Sequence, residues 1–241
     1  MKTTIKQFGL MAAVLAMSLV ATQAQILFTD NFTRSNTASP NGGLGTDWTI
    51  AGNMFLNTNH AQTQTAAESF ALYNGASLSQ SFSMSVDIYS QSTGRYGGLL
   101  FNYVDSSNYY ELRANFNSTS TVWQFIKVIG GTSTTVSQST IAAGNMPVDT
   151  WRTLTLNSSA TTGQYTFALT NVGGATTYAS GTLTDTNLSL GGSAGFYFSG
   201  SNAWADNFSL QTVPEPMVSG MLGMSVLLAF LRRRRLSDRL S

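Results

Sequence analysis

The 241-residue chain contains no cysteine, a single histidine, and charged side chains at only 10% of its positions. The lack of cysteine excludes a disulfide scaffold, a thiolate zinc site and a cysteine nucleophile. His60, standing alone, excludes a histidine-rich metal cluster. Basic clusters are missing from the long middle region: residues 25–213 carry Arg34, Arg95, Arg113, Lys127 and Arg152 against nine acidic groups, a net charge of −4. Phosphate backbones require concentrated Lys and Arg, so no nucleic-acid partner is expected. The formal net charge of +1 hides this segregation, because the first 24 residues carry +2 and the last 28 carry +3.

Both basic ends flank short apolar runs. Lys2 and Lys6 precede Phe8 to Val20, and Thr22 and Ala24 follow as small residues at the spacing that signal peptidase cleaves, which predicts a secretory signal over residues 1–24 cut between Ala24 and Gln25. At the other end the order is Pro214-Glu215-Pro216, then an apolar segment over 217–231, then Arg232, Arg233, Arg234 and Arg235. The prolines bias the chain to an extended path, and the arginines hold the far end on the cytoplasmic side. Fifteen helical residues reach only about 22 Å at ~1.5 Å each, short of the ~30 Å hydrocarbon core. Such a transmembrane helix is a poor permanent anchor.

This tail, residues 214–241, resembles the PEP-CTERM sorting signal, which is built from a Pro-Glu-Pro motif, one short helix and a basic cluster. The resemblance implies an exosortase-type membrane protease as partner, removal of the tail after transient anchoring in the inner membrane, and delivery to the cell surface or exopolysaccharide matrix of a Gram-negative-type bacterium.

Residues 25–213 are rich in Ser, Thr, Asn and Gly and lack helical periodicity. Alternation of period two is frequent instead. Phe82, Met84, Val86 and Ile88 share one face of an expected strand, and Tyr110, Leu112, Ala114 and Phe116 share one face of another. Asp105-Ser106-Ser107-Asn108 reads as a hairpin link between the second of these and the segment Leu99 to Val104. Further strands are expected over Val122 to Ile129, Trp151 to Asn157, Tyr165 to Asn171, Gly195 to Ser199 and Ala203 to Val213. Many short strands with turns between them predict an all-β domain of two antiparallel sheets.

The order of Phe28-Thr29-Asp30-Asn31-Phe32, Trp48, Phe82 to Ile88, Gly98 to Phe101, Asn108 to Arg113, Trp151 to Leu154, Ala194-Gly195-Phe196 and Ala205 to Leu210 resembles the concanavalin A-like lectin/glucanase jelly roll, laminin-G-like members included. The resemblance implies that the first and last strands lie side by side, bringing the two Asp-Asn-Phe triplets together. Asp30, Asn31, Asp206 and Asn207 are then candidate ligands of a structural calcium ion, since hard cations take carboxylate and amide oxygens.

Catalytic machinery is hard to find. A glucanase of this kind carries two carboxylates close together on one strand, whereas Glu68 and Glu111, the only glutamates in residues 25–213, have no acidic neighbour two positions away. Arg113 on the same expected face should favour the ionised form of Glu111. His60, in a polar segment, is expected in an exposed loop, and no Gly-x-Ser-x-Gly elbow accompanies the serines. Aromatic rings remain as a resource, because sugars stack on them: Tyr96, Tyr103, Tyr109, Trp123 and Trp204 are the candidate ligand-binding residues, while Trp48 and Trp151 are expected to fill the core. The expected function is a non-catalytic surface or matrix protein that binds polysaccharide. A glycoside hydrolase or polysaccharide lyase with dispersed residues, and a purely structural adhesin-like domain, are the alternatives.

Overall fold

Apolar residues alternating with Ser, Thr and Asn give strands with one dry and one wet face, and in the computed structural model of the chain the dry faces of two sheets meet. The structure describes residues 24–213 apart from 40–41, 66, 76–77, 79–80, 120, 160–162 and 188–190. Residues 1–23 of the expected signal peptide and the expected tail over 214–241 lie outside the described residues.

Fifteen strands run along the described chain: β1 (Ile26–Asp30), β2 (Trp48–Ala51), β3 (Met54–Asn57), β4 (His60–Thr63), β5 (Glu68–Tyr73), β6 (Phe82–Ser90), β7 (Arg95–Asp105) and β8 (Asn108–Phe116), followed by β9 (Thr121–Ile129), β10 (Thr132–Ile141), β11 (Arg152–Ser158), β12 (Gln164–Asn171), β13 (Thr177–Thr184), β14 (Ser193–Ser199) and β15 (Ala203–Thr212). One sheet, here sheet A, has the order β13-β12-β11-β6-β15-β4-β3, with β1 also paired to β15; the other, sheet B, has the order β10-β9-β8-β7-β14-β5-β2. Every pairing between these strands is antiparallel. Among the described residues no helix is long and apolar enough to cross a membrane.

The expected alternations fall where the core is. Phe82, Met84, Val86 and Ile88 from β6, and Tyr110, Leu112, Ala114 and Phe116 from β8, are all buried in the layer between the sheets. The β7–β8 hairpin turns on Ser106 and Ser107, with the Asp105 carboxylate accepting the Ser107 N–H at 2.7 Å and the Asn108 side-chain amide at 2.9 Å. Burying large rings is the main stabilising term: each fully buried Phe removes an area of apolar surface worth roughly 2–3 kcal/mol, and Phe32, Phe82, Phe101, Phe116, Phe125, Phe196, Phe198 and Phe208 are all below 2% exposed.

β1 and β15 do lie side by side, Asp30 opposite Phe208. The register of β15 against β6 shifts between Asp206 and Ser209, and Asn207 there takes a left-handed φ of 50°. This bulge divides β15 into a half paired with β4 (Ala203–Ala205) and a half paired with β1 (Phe208–Gln211). It also turns Asn207 away from the regular alternation, while Asp206 stays in register opposite Asp87.

Candidate functional site

Strand register places a set of polar and aromatic side chains on the outer face of sheet B. Across the central strands one row reads Phe70, Tyr197, Gly98, Arg113 and Gln124; the next reads Leu72, Gly195, Leu100, Glu111 and Ile126. Glycine is required at Gly98 because a Cβ would come within 2.3 Å of the Leu112 carbonyl oxygen. With no side chain there, Tyr197 and Arg113 meet across β7. The Arg113 Nη1 donates to the Tyr197 hydroxyl oxygen at 3.4 Å and to Glu111 Oε1 at 3.3 Å, its Nε donates to Gln124 Oε1 at 3.0 Å, and the Tyr197 hydroxyl donates to Glu68 Oε1 at 2.9 Å. The two glutamates, 43 positions apart in sequence, thus belong to one hydrogen-bonded chain.

Burial governs the electrostatics of this chain. Glu111 stands in a row with Leu100 and Ile126 on either side and is 3% exposed. Desolvation pushes its carboxyl up to about 7; the Arg113 charge opposes this and Glu68 reinforces it. Arg113 does favour the ionised form of Glu111, as expected, but one hydrogen-bonded cation does not offset full burial. Burial, with Glu111 and Glu68 adding, also raises the Tyr197 and Tyr109 phenols. They stay neutral hydroxyls.

Around the chain lie rings. The Arg113 guanidinium sits 4.3 Å from the centre of the Tyr96 ring. Phe70 and Tyr103 are 5.5 Å apart, and Tyr103 stacks on Tyr109 at 5.7 Å. All four rings are half-buried and join a cluster with Leu72, Leu100 and Tyr197 that is separate from the interior core. Exposed ring faces beside hydroxyls, a guanidinium and carboxylates provide stacking surfaces and hydrogen bonds of both polarities.

Of the five aromatic candidates, the structure brings together Tyr96, Tyr103 and Tyr109 on this face. Trp204 is on the outer face of sheet A. Trp123 is buried, its ring 4.5 Å from Phe167, and belongs to the core. Its apolar partner explains the correction, since β9 turns Trp123 and Phe125 inward together. Phe70, Tyr197 and the meeting of Glu68 with Glu111 were not anticipated. Alternation along Gly195-Phe196-Tyr197-Phe198 carries a signal for Tyr197, which shares its face with Gly195 while Phe196 and Phe198 go to the core.

The calcium ligand set does not fit. Asp30, Asn31, Asn207 and Phe208 line an open cleft of about 450 Å³ with Thr29, Arg34 and Ser209, and Asp206 is not part of its lining. Yet the Asp30 carboxylate is filled: Arg34 donates to Oδ1 at 2.6 Å and Oδ2 at 2.8 Å, the Trp48 indole N–H to Oδ2 at 2.7 Å and the Phe32 N–H to Oδ1 at 2.8 Å. Burial opposes ionisation of Asp30, but these donors outweigh it and hold the carboxyl below its ordinary value. Asn31 Oδ1 accepts from Thr33 N–H, the Asn207 side-chain amide donates to Asp87, and Asp206 Oδ2 faces His60 Nε2 at 3.8 Å. Arg34 supplies the positive charge that a cation would bring. Among the described residues no group of three or more Asp, Glu or His could hold a metal ion.

No protein-family model and no curated protein matches the chain. Solved structures do resemble it. The carbohydrate-binding module CBM66 from Bacillus subtilis is 17% identical over 69% of this chain and 96% of that one, with a TM-score of 0.55. The exoplasmic/lumenal domain of VIP36 in its Ca2+/Man2-bound form is 14% identical, with coverage of 76% and 89% and a TM-score of 0.56. The xylan β-1,4-xylosidase from Bacillus halodurans C-125 is 15% identical over 76% of this chain but only 38% of that enzyme, with a TM-score of 0.53. At such identities the likeness establishes the fold, a two-sheet jelly-roll sandwich, and nothing finer.

Proposed function

We propose that the protein is an exported, non-catalytic polysaccharide-binding protein of a bacterial surface or exopolysaccharide matrix. In this reading residues 1–24 are a signal peptide removed by signal peptidase, residues 25–213 are the binding domain, and residues 214–241 are a sorting tail recognised by an exosortase-type protease. The observation that carries the binding reading is the outer face of sheet B, where Tyr96, Tyr103, Tyr109 and Phe70 surround the Glu68–Tyr197–Arg113–Glu111 chain. Hydroxyl-rich, uncharged sugars match such a face because their C–H sides stack on rings and their hydroxyls bond to both acceptors and donors. The likeness to a carbohydrate-binding module and to the lumenal domain of VIP36 in its Ca2+/Man2-bound form supports it.

One observation favours a second reading, a glycoside hydrolase. Glu111 has the raised carboxyl of a general acid, and Glu68 stands in the same hydrogen-bonded chain. Against it, Glu111 is almost wholly covered, which limits its access to a glycosidic bond. Incubating the protein with neutral glycans and assaying reducing ends and unsaturated products separates the two. The binding reading expects neither product, whereas turnover that disappears in Glu111→Gln would establish the enzyme. Intact mass of the protein recovered from its host's surface tests the sorting reading: the mature form should begin near Gln25 and lack Arg232 to Arg235, and a mature form retaining those arginines would contradict it.

A further inference from the structure

A second aromatic surface lies on the outer face of sheet A, on the opposite side of the sandwich from the face just described. The register sets Trp204 beside Tyr89, and Trp151 immediately precedes the β11 strand that pairs with β6. The rings form a continuous strip: Trp204 to Tyr89 is 4.8 Å between centres, Tyr89 to Trp151 5.1 Å, and Trp151 to His60 5.0 Å. All four are half-buried, and none belongs to the interior core. Trp151 and His60 thereby depart from expectation, the first as a surface ring rather than core, the second as the opening residue of β4, its ring against Trp151 rather than in a free loop.

Acidic and amide groups fringe the strip. Asp149 accepts from the Tyr89 hydroxyl at 3.0 Å, Asp206 faces His60, and Asp87 accepts from Thr153 and from Asn207. The contacts to Asp149 and Asp206 hold the Tyr89 and His60 rings between which Trp151 packs, which reduces the side-chain entropy to be lost when a ligand binds. The fringe also selects the ligand. A protein partner covering the strip would desolvate the two accessible carboxylates, Asp149 and Asp206, at a cost an apolar contact does not offset. A polymer of neutral sugars covers rings with C–H faces while donating hydroxyl hydrogens to carboxylate oxygens.

We propose that the His60–Trp151–Tyr89–Trp204 strip is a second binding surface for neutral polysaccharide, so that one chain holds two polysaccharide strands on opposite faces and cross-links them. The proposal rests on the reading of the protein as a polysaccharide binder, but on different residues from those of sheet B. Two surfaces on one rigid body raise the retention of a polymer network without any stronger single contact.

The test uses the full chain, purified in mild detergent, and soluble xylan, mannan, dextran and starch as probes. Affinity electrophoresis measures binding, and light scattering measures cross-linking. Three proteins are compared: the parent, Trp151→Ala/Trp204→Ala, and Tyr96→Ala/Tyr109→Ala. The single variant Trp204→Gln serves as a milder change, and the melting temperature checks folding. For at least one probe, each double variant should bind about tenfold more weakly than the parent or less, and neither should cross-link. If the Trp151/Trp204 variant and Trp204→Gln both bind and cross-link like the parent, the strip is not a binding surface, while the sheet B reading survives. If only the Trp151/Trp204 variant loses binding, the strip is a binding surface, but the sheet B site and the cross-link between opposite faces both fall. A parent that binds none of the four probes overturns both.

Discussion

The guanidinium of Arg113 lies 4.3 Å from the centre of the Tyr96 ring while its Nη1 holds Glu111 at 3.3 Å. Arg113 thus ties a half-exposed ring to a buried acid, and the ring's orientation depends on the charge beneath it. Arg113→Lys keeps a charge but loses the planar stacking face. It is expected to weaken polysaccharide binding about five- to tenfold, a cost of about 1 kcal/mol, with little change in melting temperature. Binding equal to that of the parent would mean that Tyr96 is not held for a ligand.

Glu111 has consequences for stability against pH. Its carboxyl is raised from 4.5 to about 7 by burial, so between those values the folded protein binds more protons than the unfolded one. Stability therefore falls as pH rises through that window and levels off above it. Glu111→Gln, neutral throughout, should remove this slope and make the protein more stable than the parent at pH 8 by no more than about 3 kcal/mol. Urea unfolding at pH 5 and pH 8 measures it. A parent whose stability is flat over the window would show that Glu111 is ionised when folded.

On the acid side the sign reverses. The Asp30 and Asp185 carboxyls are held below their ordinary value by Arg34 with Trp48, and by Lys127 with Tyr110, despite burial. Their contribution is complete above about pH 4 and is lost as pH drops further. Asp30→Ala strands the Trp48 indole N–H and unpairs Arg34, which should cost about 2–4 kcal/mol. Because Arg34 already occupies the carboxylate, millimolar calcium or chelator should leave the parent's melting temperature unchanged. A rise with calcium that is absent in Asp206→Ala would restore the cation site.

Trp123 and Trp204 are both tryptophans on strands, yet their truncations should differ. Trp123→Ala opens a cavity against Phe167 and is expected to cost about 3–5 kcal/mol. Trp204→Ala removes a half-exposed ring and should cost under about 1.5 kcal/mol. Chemical denaturation of the two variants decides it, and equal losses would place Trp204 in the core.

Much of the sandwich was legible because period-two alternation is a local signal. The strands carrying Phe82 to Ile88 and Tyr110 to Phe116 showed it plainly. β10 and β13 did not: Thr132–Ile141 and Thr177–Thr184 are mostly polar edge strands whose few core-facing residues, Val136 and Ile141, and Tyr178, Ala179 and Leu183, are not spaced by a regular alternation. The site was less legible than the fold. Glu68 and Glu111 meet only because β5, β14, β7 and β8 are neighbours in sheet B, a fact of topology that no spacing along the chain records. Trp151 was misread for a related reason. It lies just before its strand, where alternation does not reach, and the side that carries Tyr89 and Trp204 claims it.

The central claim is that the outer face of sheet B binds neutral polysaccharide. Isothermal titration of the parent and of Tyr96→Ala/Tyr109→Ala with soluble xylan, mannan, dextran and starch tests it most directly. The account predicts that at least one of these polymers binds the parent, that the double variant binds it at least about tenfold more weakly, and that the two proteins have matching melting temperatures. Equal affinities in parent and variant would contradict it.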